Sequence, residues 1–146
     1  MRMVGIIAAH WEWIEAILER SVAEIMEHDP NRVAVLTVNI SFHPKCDIIL
    51  AHARAFEKAG PPQWSAFTTA ITRLKNAYTA RNRFVHAKWK MEGNQIFITD
   101  VRTKGGRITI VNELCPIEDL NLAAQQIIIA GEMFCTIMQS CGLLQK

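Results

Sequence analysis

The stretch from Pro62 to Met91, PQWSAFTTAITRLKNAYTARNRFVHAKWKM, constrains the fold more than any other part of the chain. Its apolar residues recur at three- and four-residue steps: Trp64, Phe67, Ile71, Leu74 and Tyr78, and then Val85. That period belongs to a helix with one face in a core, and it predicts a long helix running to about Trp89. A helix with so regular a stripe must bury it against other elements, so the remaining chain has to supply them. The seam position between Tyr78 and Val85 is occupied by Arg81 rather than an apolar residue. No Asp or Glu occurs from Lys58 to Met91, whereas Arg73, Lys75, Arg81, Arg83, Lys88 and Lys90 all fall there.

The partners are helical too. From about His10 to Glu27, Trp11, Ile14, Leu18, Val22 and Ile25 form a stripe, and Glu12, Glu15, Glu19, Glu24 and Glu27 make the rest of that helix acidic. Side-by-side packing of this helix on the basic central one would satisfy both charges. Asp29-Pro30 is an N-cap followed by a first-turn proline. The run after it, NRVAVLTVNI, has strand-like β-branching, but the cap favours a short helix. Ser41 caps a third helix, which reaches Lys58 and stops at Ala59-Gly60-Pro61-Pro62. Past the central helix the period changes. QIFITDVRT and RITIVN, joined across Lys104-Gly105-Gly106, read as a β-hairpin. Pro116 then opens a final helix with Leu120, Ala124, Ile127, Ile128, Gly131, Phe134, Cys135 and Met138 on its stripe. The expected fold is mainly α: one domain over residues 1–146, an antiparallel bundle of four to five helices with a β-hairpin inserted before the last helix.

Composition excludes several classes. With 146 residues, half of them hydrophobic, the chain can build a real core. A net charge of only +2 means that any contact with nucleic acid must come from local clustering. The four cysteines (Cys46, Cys115, Cys135 and Cys141) have no CxxC or ligand spacing and read as reduced, mostly buried thiols. His43 and Cys46 lack further ligands nearby, so no metal and no cofactor is expected. The N-terminal MRMVGIIAAHWEWIE imitates a signal peptide only briefly, and no apolar run approaches the 18 residues or so of a membrane span; the cytoplasm is the expected location.

Chemistry concentrates in Arg81-Asn82-Arg83-Phe84-Val85-His86. Histidine exchanges protons near neutral pH, and arginine presents a permanent, planar, phosphate-matching fork. Asn82, one helical turn before His86, is placed to orient the imidazole. Arg81 and His86, five residues apart, stand about 140° apart on a straight helix. One copy would have difficulty aiming both at one phosphate, whereas two copies about a twofold axis would not.

This run resembles the HEPN superfamily of helical ribonucleases and nucleotide-binding proteins, which carry an Arg, a polar residue (often Asn), a short variable run and a His near the end of a bundle helix. The resemblance implies an endoribonuclease, such as a toxin or defence effector, that cuts RNA by attack of its own 2′-OH without a metal. Arg81, Asn82 and His86 would be catalytic, and the cleft would form between the two copies of a homodimer. Arg83, Lys88, Lys90, Tyr78 and Trp89 are the candidate RNA-binding residues. An antitoxin or other protein partner fits the same reading. The alternatives are a non-catalytic dimer of this type that binds nucleic acid or a protein, and a structural bundle in which Arg81 pairs with a glutamate of the first helix. Tyr78 and Trp89 also read as packing residues, and the basic hairpin turn as exposed decoration.

Overall fold

A computed structural model of the chain describes residues 2–27, 30–55, 61–104 and 106–144. The elements, in chain order, are α1 (Arg2–Ile25), α2 (Pro30–Thr37), α3 (Phe42–Ala55), α4 (Pro61–Val85), β1 (Lys88–Glu92), β2 (Gln95–Lys104), β3 (Arg107–Leu114) and α5 (Ile117–Ser140). This is the expected helical bundle with a small antiparallel sheet before its last helix. Asp29 (the expected cap of α2), the Ala59-Gly60 stop after α3 and Gly105 of the hairpin turn lie outside the described residues.

The core forms where the helical stripes meet. Ile7, Trp11, Ile14 and Leu18 of α1 are buried together with Phe67, Ile71 and Leu74 of α4 and Leu120, Ile127, Phe134 and Met138 of α5. α5 packs on both α1 and α4, and α3 adds Phe42, Cys46 and Ile49. By length and composition α5 is apolar enough to cross a membrane, yet its stripe is the one that fills this core. The approach of α1 to α5 depends on Gly131. A Cβ there would lie 2.7 Å from Trp13 Cζ3 and 2.9 Å from Ile14 Cγ1. α5 ends in a Schellman motif: Leu143 N–H donates to Met138 O at 2.9 Å and Gly142, at φ +69°, donates to Gln139 O at 3.1 Å.

Three expectations change. α1 begins at Arg2 rather than near His10, because Met3, Val4 and Ile7 extend the Trp11 stripe N-terminally and pack on the core. The charges of α1 are met chiefly by α3 rather than by α4: buried Lys45 lies 2.9 Å from Glu19 and 3.7 Å from Glu15. Lys75 of α4 in turn pairs with Asp47 of α3 at 2.8 Å. The third change matters most for the site. α4 stops at Val85, and Lys88–Glu92 is a strand, so the hairpin is part of a three-stranded sheet of order β1-β2-β3. Lys88-Trp89-Lys90-Met91-Glu92 has the strand period of two, and Trp89 pairs across from buried Ile98. The two-residue turn Gly93-Asn94, with Gly93 at φ +58°, closes β1 onto β2.

Candidate functional site

The end of α4 creates the site. The backbone N–H of His86 still bonds Asn82 O at 3.3 Å, but His86 and Ala87 then turn the chain into β1. His86 therefore leaves the helical register, and its ring returns over the last turn. Arg81 Nη1 lies 2.7 Å from His86 Nε2 and donates to Asn82 Oδ1 at 2.9 Å. The 140° separation expected on a straight helix does not apply, because the helix has ended before His86. Arg81 and His86 meet within one chain, and the geometric reason for a site shared between two copies disappears.

The contact also assigns roles. A guanidinium has only donors, so Nε2 of His86 accepts; this is the neutral ring with its proton on Nδ1. Asn82 Oδ1 holds Arg81, and Asn82 meets His86 through its backbone carbonyl. The expected role of Asn82 as orienter thus shifts from the imidazole to the guanidinium. Arg81 has no ion pair with α1 among the described residues, and its buried Nε has no hydrogen-bond partner. The reading of Arg81 as a structural ion pair of the first helix is therefore not what the fold contains.

Next to this triad lies a cleft of about 480 Å³ between the end of α4 and the sheet. Asn82, Arg83 and His86 reach it from the end of α4, and Lys88 of β1 reaches it from the sheet beside its register partner Thr99 and Val101 of β2. Of the candidate RNA-binding residues, Arg83 and Lys88 thus share the cleft with His86. The other three do not line it. Tyr78 stacks on Phe42 with centroids 4.6 Å apart and touches Trp11 and His43, so it serves packing. Trp89 stacks near Phe84 at 6.3 Å, and Lys90 pairs with Glu92. Arg83 is held by Glu113 of β3 at 3.0 Å and lies over the ring of Phe84.

Glu113 and Thr99 also line this cleft, and the sequence reading did not single them out. Glu113 is thirty residues from Arg83, and only the sheet register brings it there. One signal was available: Gly93-Asn94 between two alternating runs marks a second hairpin and hence the third strand. Among the described residues, no group of three or more His, Cys, Asp or Glu is arranged to hold a metal ion. Burial pushes the Cys46 thiol up to about 12, which makes it a packing residue rather than a nucleophile. Burial, with Asp119 nearby, also raises Cys115.

No family model, no curated protein and no solved structure matches this chain. The functional reading rests on the site itself and on the motif.

Proposed function

We propose that the chain is an endoribonuclease of HEPN type that cleaves RNA beside His86. One observation carries this reading: Arg81 bridges Asn82 and His86 at 2.7–2.9 Å, and those two residues line a cleft that also holds Arg83 and Lys88. In the unliganded site the guanidinium of Arg81 caps His86 Nε2. A phosphodiester entering the cleft competes for that guanidinium, because its oxygens match the planar fork better than one ring nitrogen does. Its arrival uncovers the Nε2 lone pair. His86 then takes the proton of the ribose 2′-OH, and O2′ attacks the adjacent phosphorus. The P–O5′ bond breaks, and the leaving oxygen takes a proton from water. Arg81 neutralises the charge that develops on the phosphoryl oxygens. The products are a 2′,3′-cyclic phosphate and a 5′-hydroxyl end. Asn82 keeps Arg81 pointed at the phosphate. Such an activity suits a toxin or defence effector restrained by a protein partner.

The test is incubation with assorted RNAs in the presence of a chelator. His86→Ala should lower cleavage by about 10²–10⁴-fold with the fold intact. Arg81→Lys keeps the charge, loses the fork and should also lose most activity. A substrate with a 2′-deoxy sugar at the cut should be inert. Comparable cleavage of DNA, or strict dependence on an added divalent metal, would refute the mechanism. A non-catalytic binding module is the second reading. The Arg83–Glu113 pair favours it, because that pair already engages one of the two cleft cations. Unchanged RNA or partner binding by His86→Ala, with no cleavage by the parent protein, would select it.

A further inference from the structure

β3 is an edge strand. Among the described residues, the strand order β1-β2-β3 leaves its outer side without a strand partner, and no helix packs extensively on β3. Folded proteins blunt such edges with proline, central charges or a bulge. β3 carries no proline, and from Ile108 to Asn112 it carries no charge. Its side chains are exposed as well: Ile108 is 70% and Ile110 66% accessible, and Val101, the β2 partner of Ile110, is 48% accessible. An apolar, β-branched edge is left open at the far end of the ribbon.

The ends of the strand indicate what covers it. Arg107 begins β3 and Glu113 lies near its end, six residues on and on the same face. Arg107 makes no ion pair among the described residues. Consider a second β3 laid antiparallel about a twofold axis through Ile110. Arg107 of each copy then faces Glu113 of the other. Ile110 faces Ile110, and Ile108 faces Asn112. The intrachain register adds Val101 beside Ile110. The result is a row across the joined sheet of Val101, Ile110 and the same two residues of the second copy. Cross-strand rows of β-branched residues and opposite charges at directly opposed positions are what stabilise antiparallel pairs.

We propose that the outer edge of β3 is a self-association surface, and that two copies of this chain join through it into one continuous six-stranded antiparallel sheet. The interface is independent of the ribonuclease reading, but it adjoins that site. Glu113 holds Arg83 at the cleft, so Arg107 of the second copy adds a competing cation at that carboxylate and loosens the hold on Arg83. A strand-to-strand contact of this length lies at the small end of specific interfaces, so affinities in the micromolar range are expected.

Sedimentation equilibrium of the full chain between about 10 and 300 μM tests this, the range in which such an interface titrates. A monomer–dimer equilibrium is expected. Ile110→Lys places two ammonium groups across the axis and should raise the dissociation constant at least about tenfold. Arg107→Glu should weaken the dimer, and Arg107→Glu combined with Glu113→Arg should restore it. Ile110→Cys should give a disulfide-linked dimer on mild oxidation, well above the background from Cys135 and Cys141 of the parent chain. Thr109→Cys should not, because residue 109 faces Val111. Because position 110 is exposed, these variants should fold, and circular dichroism checks that they do. A parent chain that stays monomeric throughout the range overturns the proposal, as does a dimer indifferent to Ile110→Lys. Equal crosslinking at 109 and 110 overturns the register. A monomer whose RNA binding depends on Arg107 would assign this edge to RNA instead.

Discussion

Arg81 should be more useful to the site than to the fold, and Arg81→Leu separates the two. Its Nε is buried without a partner, which costs about 1–3 kcal/mol. Its Nη1 makes two hydrogen bonds, a half-buried one to Asn82 Oδ1 and an exposed one to His86 Nε2. Bonds from a guanidinium are worth about 1.5–3 kcal/mol when sheltered. His86 is exposed and Arg81 and Asn82 are half-buried, so solvent screening lowers each bond to about 1 kcal/mol, and the two together roughly offset the Nε penalty. A leucine at this seam position, between Tyr78 and Val85, adds partial apolar burial of about 1 kcal/mol. The substitution also removes one cation from a segment that already holds Arg83 and Lys88. The balance is a gain of about 1 kcal/mol, or roughly 2–4 °C in Tm for a chain of this size. Thermal and urea unfolding followed by circular dichroism would measure it, with RNA cleavage assayed in parallel. The expected result is a more stable protein that has lost its activity, the pattern of a site maintained against stability. A loss of more than about 1 kcal/mol would refute this reasoning, because it would mean that the guanidinium holds the bundle together.

Gly131→Ala should destabilise by about 1 kcal/mol, because overpacking against Ile14 and Trp13 (about 1–3 kcal/mol) exceeds the helix-propensity gain of at most about 1 kcal/mol. Ile14 is fully buried and cannot yield, so a raised Tm would show instead that the α1–α5 contact is soft. Cys46 should resist thiol reagents at pH 8 in the native state, and it predicts an alkaline limb of stability. Its thiol is raised from 9.0 to about 12 by burial, so between those values the folded chain holds a proton that the unfolded chain releases. The stabilising contribution is full below pH 9 and is lost as pH rises toward about 12. Cys46→Ala should flatten that limb in urea titrations across the range, and an unchanged slope would remove Cys46 as its cause.

Much of the bundle was legible in the sequence because helical periodicity is a local property. Phe67, Ile71 and Leu74, or Leu120, Ile127 and Phe134, mark a buried face whatever they pack against. The same holds for the Pro116 start of α5 and for the hairpin either side of Gly106. The motif Arg81-Asn82-His86 was also visible, since its residue types carry their chemistry with them. Its geometry was not. The stripe that placed α4, broken at the seam by Arg81, resumed at Val85 and pointed to a helix as far as Trp89, whereas pairing of Trp89 with Ile98 across the sheet ends the helix at Val85. That ending turns His86 back onto Arg81 and opens the cleft. It also converts Asn82 from an expected partner of the imidazole into a holder of the guanidinium. Burial of Lys45 among α1 carboxylates and the bond of Arg83 to Glu113 link residues 26 and 30 positions apart, and no local pattern records them. Local periodicity therefore determined which elements form and which faces they bury. Tertiary pairing determined where α4 stops, and with it which side chains meet, because strand register is a property of two segments and neither one carries it alone.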